Sequence, residues 1–260
     1  MTLINSFQSE WLKKKRSLAS WLVIAGAFFT PSIILISRIK NADKLSALYV
    51  SDDFWQKLWH QTWESMAVFL LPIGIILAAG LITQIEYKNN TWKQLHATPQ
   101  KFATIFLAKF LVILIMLGEV FVLFNAGMYL SAVIPSMLFS NLPYPTAPIP
   151  YLDFLKGNLN FFLDCLPILA LQYLLSLQFR NFLVPIGTGF VLWFLGVGML
   201  PWKYSYLFPY IHGTIDFLVS SGQSGNRTVP PINIQLLAVI YFALFTTASY
   251  VLYANKKEKG

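Results

Sequence analysis

Few side chains in this sequence are of the types that carry out chemistry, and their spacing does not indicate catalysis. The three histidines, His60, His96 and His212, lie in three different connections between apolar runs. His60 and Glu64 are spaced i, i+4, which can place two metal ligands on one helix face, but no third ligand is near them in the sequence. Cys165 is the single cysteine, which excludes an internal disulfide and a cysteine-based zinc site. The sequence therefore predicts no catalytic residue and no metal site.

Motifs that hold phosphate or activate a serine are also missing from the sequence. It contains neither a Gly-x-x-x-x-Gly-Lys-Ser/Thr loop nor a Gly-x-Ser-x-Gly turn. We therefore expect that the chain does not bind ATP by the usual phosphate loop and that it needs no cofactor of its own.

Two acidic residues inside long apolar runs are the remaining candidates for chemistry. Glu119 follows Lys109 by ten residues, about 15 Å along a helix, which predicts a depth close to the bilayer centre. A charge there costs about 3 kcal/mol on insertion scales, so the side chain is expected to face protein or water. Two interpretations stay open: a protonated acid bonded to a neighbouring carbonyl, or a residue on a substrate or proton path. Asp164, near the outer end of its run, is expected to face water and is the second candidate for a translocation path.

The composition indicates the class of protein in which these residues lie. Hydrophobic residues make up 56% of the 260 residues and charged residues 12%, whereas soluble domains are roughly 25% charged. The chain is therefore predicted to be an integral membrane protein. The formal charge is +8, and the basic residues lie beside the apolar runs. This placement indicates that they contact anionic lipid and set the membrane topology, and it does not favour binding of nucleic acid.

Six apolar runs are long enough to span a bilayer, for which roughly 20 residues are needed. They cover residues 19–37, 66–84, 104–134, 159–177, 182–200 and 234–254. With the N-terminus inside, 12 Lys and Arg residues lie on the inner side and 7 on the outer side. This bias predicts a multi-pass protein with both termini in the cytosol.

The predicted fold class is an all-α membrane protein, a six-helix transmembrane bundle formed by residues 1–260 as one domain. Ile4, Phe7 and Trp11 have helical spacing and precede a basic run, which predicts an amphipathic N-terminal helix in the headgroup region. Outer interfacial helices are predicted as well. The strongest is at residues 54–63, where tryptophans on one face are expected to lie at the membrane interface.

The connection between the second and third runs, residues 86–102, is short and polar. Asn90 can cap a short helix that carries Trp92 and Leu95 on one face. A second cap at Thr98 would then begin the third run, with its proline at the first helical position. The pattern predicts a helix along the membrane joined by a tight elbow to a helix that crosses it.

This loop resembles the coupling loop of ATP-binding cassette (ABC) permeases of the type-2 exporter class. The matching residues are Glu86, Thr91, Trp92, Lys93, Gln94, Leu95 and Pro99, followed by Lys109. A second match, Ser-Glu-Trp-Leu-Lys-Lys-Lys-Arg at residues 9–16, resembles the entry helix of the branch that serves lantibiotic immunity and bacitracin-type export. The family often has Gly just before the Thr of the loop, where this chain has two asparagines.

The resemblance implies a permease subunit that works with a separate ABC ATPase subunit dimer, which binds ATP and Mg. The loop helix would dock in a groove of the ATPase, with the entry-helix residues Glu10, Trp11 and Lys13 near the same surface. A second permease copy or a related permease would complete the pathway in a bacterial cytoplasmic (inner) membrane. The implied activity is export of an amphipathic compound such as a peptide antibiotic, hence antibiotic resistance, or a lipid-like molecule.

Two other classes of function remain as alternatives. A proton-coupled secondary transporter would use Glu119, although such carriers usually show more acids or basic partners inside the membrane. A membrane-embedded enzyme or envelope assembly factor is the other alternative. An enzyme of that kind should show clustered His, Asp or Ser at membrane depth, which the sequence does not contain.

Overall fold

The computed structural model describes residues 3–15, 17–88, 102–223 and 230–255, with the side chains of residues 86–88 outside the description. All regular elements in these ranges are helical, which confirms the prediction of an all-α protein for the described part of the chain. The α-helices are α1 Leu3–Lys15, α2 Leu18–Lys40, α3 Ser46–Tyr49, α4 Phe54–Ser65, α5 Leu71–Lys88, α6 Phe102–Leu138, α7 Tyr151–Gln178, α8 Leu183–Met199, α9 His212–Ser220 and α10 Ile234–Ala254. A π-helical segment, Met66–Leu70, joins α4 to α5 without a break.

Five helical stretches in the described residues are long and apolar enough to cross a membrane. They are Leu18–Lys40, Phe54–Ile85, Phe102–Leu138, Tyr151–Gln178 and Ile234–Ala254. The remaining predicted run, 182–200, lies in α8, which is apolar but has only 17 residues. Its 17 residues, about 25 Å, lie at the lower limit of the roughly 17–25 residues of a transmembrane helix. Two termini on the same side require an even number of crossings, so the predicted topology needs α8 to cross as well. The structure supports five of the six predicted spans.

The longest helix, α6, packs mainly against α1 and α2, whereas α7 packs mainly against α10 and α5. The 37 residues of α6 extend over about 55 Å, and α1, α2 and α7 all pack along it. Helix α7 runs antiparallel to α6. The Tyr173 hydroxyl donates to the Phe106 carbonyl at 2.9 Å near one end, and the side-chain amides of Asn125 and Asn158 bond each other at 2.8 and 3.1 Å near the other. Such polar contacts between helices add to the packing that holds membrane bundles together.

A proline explains how α5 is attached to α8. Pro72 has no N–H, so it cannot donate to the carbonyl of Val68 four residues earlier. That carbonyl lies in the π-helical segment and accepts a hydrogen bond from the Trp193 indole N–H of α8 at 3.0 Å. A neighbouring helix thus satisfies the carbonyl that the proline leaves without its usual partner, as is usual for prolines at membrane depth.

The tryptophans of α4 lie inside the bundle and not at its surface. Trp55, Trp59 and Trp63 are 3%, 8% and 0% exposed. The ring of Trp59 stacks on Phe154 at 4.5 Å and the ring of Trp63 on Phe161 at 4.2 Å. The predicted interfacial orientation of these tryptophans is therefore wrong. The reason is that α7 begins at residue 151 and not near 159 as predicted, so its first turns supply aromatic partners for α4.

Gly157 permits the close contact between α7 and α4, and we expect Gly157→Ala to disturb it. A Cβ atom at this position would lie 2.7 Å from Cζ2 of Trp59, a ring that its stacked neighbours hold in place. Overpacking of this kind costs about 1–3 kcal/mol. The check is thermal unfolding of the purified protein, followed by tryptophan fluorescence.

The matched control is Gly187→Ala in α8, where an added Cβ meets nothing within 4 Å. We expect no loss of stability there, because alanine favours a helix more than glycine does. Equal destabilisation by the two substitutions would contradict this account of the contact.

Candidate functional site

The first helix turns a polar stripe of its surface toward the protein. The buried residues of α1 are Ser6, Glu10 and Lys14, spaced four residues apart along one face. In contrast, Ile4 and Leu12 are 66% and 61% exposed. Phe7 and Trp11 are partly buried against the core, so the exposed side carries Ile4 and Leu12 together with polar residues. The exposed apolar side chains suit a helix whose outer side meets lipid. The polar face of α1 packs against α6.

The centre of this contact is a buried group of charges around Glu10. One Glu10 carboxylate oxygen lies 2.7 Å from Nζ of Lys109 in α6, and the other lies 2.5 Å from Nζ of Lys13. The side chains of Glu10 and Lys109 are only 7% and 2% exposed. Burial raises the pKa of Glu10, but the charges and hydrogen bonds of Lys109 and Lys13 outweigh this effect and leave the pKa below its usual value. Glu10 is thus an ionised carboxylate shared by two ammonium groups.

A second ion pair joins the end of α1 to α6. Nζ of Lys14 lies 2.5 Å from Oε2 of Glu119 and 4.3 Å from the centre of the Trp11 ring. The backbone carbonyl of Lys14 accepts hydrogen bonds from the Ser17 and Ser20 hydroxyls, both at 2.8 Å. These contacts hold α1, α2 and α6 together at one junction.

Glu119 lies beside the beginning of α2 and not beside its middle. Its partner Lys14 is four residues before Leu18, where α2 starts. The 23 residues of α2 cover about 34 Å and are sufficient to span the hydrocarbon core alone. The sequence predicted that Glu119 lies near the bilayer centre, but its contact with Lys14 places it near the end of α2. The reason is that α6 is much longer than a bilayer is thick.

The other candidate for a translocation path, Asp164, has different surroundings. Its side chain is buried in α7, with the residue 1% exposed, and neither carboxylate oxygen has a hydrogen-bond partner among the described residues. Its Cβ lies 3.9 Å from where a Cβ of Gly213 in α9 would stand. The expectation that Asp164 faces water is therefore wrong. Glu119 pairs with Lys14 of α1, whereas Asp164 lies beside Gly213 of α9. The two acids therefore do not form one site.

Most of the predicted ATPase-contact residues lie outside the described residues. These are Thr91, Trp92, Lys93, Gln94, Leu95 and Pro99, and of Glu86 only the backbone, in α5, is described. Their role stays a prediction. The described chain resumes at Phe102, which begins α6 and packs edge-on against Tyr253 of α10 with ring centres 6.2 Å apart. Lys109 follows two turns later, so the loop leads directly into the contact with α1.

His212, one of the histidines within the described residues, has structural surroundings. Nε2 of His212 donates to the Tyr206 carbonyl at 2.9 Å, and the ring stacks on Tyr241 at 6.0 Å. Burial lowers the pKa of His212 to about 4 although the bond to Tyr206 opposes this shift. In the parts of the chain that the structure describes, no three His, Cys, Asp or Glu residues form a group able to hold a metal ion.

Sequence reasoning named Glu10, Lys109 and Glu119 but missed that Glu10 pairs with Lys109 and that Lys14 pairs with Glu119. The signal was present in the spacing, because Glu10 and Lys14 are four residues apart and share one helix face. Lys109 and Glu119, of opposite charge in one apolar run, each required a partner of the other sign. What the spacing could not show is that α1 and α6 lie side by side.

The several membrane-length helices, with a charged N-terminal helix fastened to the longest of them, define a multi-pass membrane protein. A family model described as "ABC-2 family transporter protein" matches residues 6–196, which is more than half of the chain. The chain belongs to this family of ABC-2 transporters. The matched range begins in α1 and ends in α8, so it includes both ion pairs and the loop before α6. Comparison with curated proteins found no match.

Proposed function

We propose that this chain is the membrane-spanning permease subunit of an ATP-driven exporter in a bacterial cytoplasmic membrane, with both termini in the cytosol. A separate ABC ATPase dimer binds and hydrolyses ATP, and a second permease copy or a related permease completes the pathway. Membership of the ABC-2 transporter family is the observation that carries this proposal.

The contact between α1 and α6 supports a route from the ATPase to the membrane helices. In the proposal, the ATPase pushes on the loop helix that carries Trp92 and Leu95. The loop leads into α6, and the buried pair of Lys109 with Glu10 joins α6 to α1. Because Lys14 and its serine contacts join α1 to α2, movement of α6 carries α1 and α2 with it. The two ion pairs thus act as a mechanical link.

The proposed cargo is an amphipathic compound such as a peptide antibiotic or a lipid-like molecule, as in the lantibiotic-immunity and bacitracin-type branch. The far end of the molecule from the loop is rich in exposed aromatic side chains, among them Tyr151, Trp202 and Tyr204. Aromatic rings at that level suit a compound that leaves through the membrane interface. Export of such a compound would protect the cell from it.

The test is co-purification with an ABC ATPase subunit from the same genome. We expect the wild-type chain to purify with the ATPase, and Trp92→Asp with Leu95→Asp to abolish the association, because a buried carboxylate cannot replace an apolar anchor in a groove. The matched control is Trp202→Asp with Leu207→Asp, exposed residues at the far end, which should leave the association unchanged.

A different result would favour the carrier hypothesis. If the purified chain transports without ATP, in a pH-dependent manner that Glu119→Gln abolishes, the permease proposal fails. The pairing of Glu119 with Lys14 gives that carboxylate a structural partner, so we expect Glu119→Gln to weaken the contact of α1 and not to remove a proton path.

A further inference from the structure

Arg38, in the last turn of α2, is a buried cation without a carboxylate partner among the described residues. The residue is 5% exposed. Lys14 and Lys109, which are buried to a similar degree, each form an ion pair with a glutamate. Arg38 instead donates one hydrogen bond, from Nη1 to the Tyr49 hydroxyl at 3.3 Å. Because a buried charge is unfavourable unless an opposite charge compensates it, this position favours an anion that the described chain does not supply.

The acidic residues nearest to Arg38 in the sequence have other surroundings. Oδ1 of Asp43 accepts a hydrogen bond at 2.8 Å from an asparagine amide beyond the end of α6. Oδ2 of Asp53 lies 2.7 Å from Nζ of Lys57, and Asp52 is exposed. In the described part of the chain, none of these three aspartates forms an ion pair with Arg38. The connection that follows α2 therefore does not neutralise the guanidinium group.

Two aromatic rings fix the position of this guanidinium group. Its carbon, Cζ, lies 5.4 Å from the centre of the Tyr49 ring and 4.9 Å from the centre of the Phe54 ring. Both aromatic residues are 0% exposed, and the Tyr49 hydroxyl donates to the Ala132 carbonyl of α6 at 2.9 Å. Aromatic faces attract a cation, but they do not neutralise its charge. Arg38 is thus held in place while most of its five N–H groups have no acceptor among the described residues.

One edge of the guanidinium group is free to bind a ligand. Nε and Nη2 of Arg38 have no hydrogen-bond partner among the described residues, and neither atom is sealed from the surface of the protein. The small exposed area of the residue therefore includes this edge. Nε and Nη2 can donate side by side to two oxygens of one phosphate or carboxylate group, which is the geometry in which arginine binds such anions most strongly.

Arg38 lies at the depth of lipid phosphate groups. It is 20 residues past Leu18, where α2 begins, which corresponds to about 30 Å along the helix, the thickness of the hydrocarbon core. Long basic side chains at this level usually extend toward water, and Lys40 is exposed, whereas Arg38 is turned into the protein. Phosphate is the anionic group that a bilayer supplies at this level. Both leaflets contain it, so the orientation of the chain does not affect the match.

We propose that Arg38 binds the phosphate group of a membrane phospholipid through Nε and Nη2. The phosphate supplies the negative charge that the described chain lacks at this position. Because Tyr49 links Arg38 to α6 and Phe54 belongs to α4, a lipid bound there stabilises the junction of α2, α4 and α6. The site depends neither on an ATPase nor on the direction of transport.

The test is native mass spectrometry of the purified, delipidated full-length chain, titrated with phosphatidylglycerol. We expect Arg38→Met to raise the dissociation constant of the first bound lipid about tenfold to a hundredfold, because hydrogen bonds to a charged group are lost. Arg38→Lys keeps the charge but cannot donate from one rigid edge to two oxygens, so we expect an intermediate loss. Diacylglycerol, which has the acyl chains without the phosphate, should bind equally weakly to the wild type and to Arg38→Met.

Lys40→Met is the matched control, because Lys40 lies in the same turn of α2 and is exposed. It should change the dissociation constant about twofold or less. Tyr49→Phe keeps the ring and removes the hydroxyl that positions Arg38, and we expect it to weaken lipid binding severalfold. Tyr49→Phe and Arg38→Lys keep the proposal testable if Arg38→Met does not fold.

Equal affinities of the wild type, Arg38→Lys and Arg38→Met for phosphatidylglycerol would overturn the proposal. A second measurement separates a lipid from a soluble anion: inorganic phosphate is added to the lipid-free protein, and thermal unfolding is followed. If phosphate stabilises the wild type but phosphatidylglycerol shows no binding that depends on Arg38, the site takes a soluble anion and the assignment to lipid fails. Neither measurement uses ATP or a partner, so failure here leaves the proposed permease function standing.

Discussion

Glu10→Gln is expected to lower the free energy of unfolding by about 3–5 kcal/mol, the usual cost of removing one partner from a buried ion pair. The substitution takes the carboxylate away from Nζ of Lys109, 2.7 Å distant, while Lys109 stays buried at 2% exposure. The ammonium group then loses a charged acceptor in surroundings where water cannot replace it. Unfolding of the purified protein in mixed micelles, titrated with a denaturing detergent, measures this change.

The size of this effect depends on burial of the ion pair. An exposed ion pair elsewhere in the chain allows a test of this dependence. Lys57 and Asp53 form a salt bridge at 2.7 Å with side chains that are 57% and 48% exposed. Lys57→Gln should therefore have no measurable effect. If Lys57→Gln and Glu10→Gln destabilise the protein equally, burial of the α1 contact is not what makes it strong.

A double substitution separates the cost of an unpartnered charge from the value of the pair itself. Glu10→Leu with Lys109→Met removes both buried charges together and is expected to recover most of the stability. If ion pairing also links the loop to α1 as proposed, the double variant should be stable and yet couple poorly to an ATPase. Full ATP-driven transport by the double variant would show that packing alone transmits the movement.

Trp63→Ala is expected to destabilise the protein by about 3 kcal/mol, the lower end of the range for large aromatic residues in cores. Trp63 is 0% exposed and its ring lies 4.2 Å from Phe161 and 4.9 Å from Phe124. Because lipid is as apolar as the protein interior, the cost comes from lost contacts and an unfilled space, and not from transfer out of water. Thermal unfolding followed by circular dichroism measures it.

Trp21→Ala is the matched control, because Trp21 in α2 is 70% exposed and its removal leaves no internal space. We expect little change in stability. Trp63→Phe is a second comparison. It keeps an aromatic ring and removes an indole N–H that has no partner among the described residues, so its effect should be far smaller than that of Trp63→Ala. Equal losses from Trp21→Ala and Trp63→Ala would contradict the packing account.

The apolar runs could be predicted from the sequence because the bilayer imposes a minimum length on every helix that crosses it. Five of the six runs lie in helices of membrane length, and α1 was identified from its spacing. The residues at which helices begin and end were predicted less well. Residues 54–65 and 151–158 contain enough polar residues to resemble surface segments, yet they extend α5 and α7 as continuous helices or near-continuous ones. Their partners are distant in the sequence, and local composition does not identify them.

The sequence by itself determined that this is a helical membrane protein, that its N-terminal helix is amphipathic, and that Glu119 should face protein or water. These conclusions follow from hydrophobicity, helical period and the cost of burying a charge, which are local properties of the chain. Only the tertiary structure decided which charged residues pair, since side-by-side packing of α1, α2 and α6 brings Glu10 to Lys109 and Lys14 to Glu119. It also decided that the Trp face of α4 is internal. Contacts between residues about a hundred positions apart depend on how helices pack, and the pattern within one helix does not contain that information.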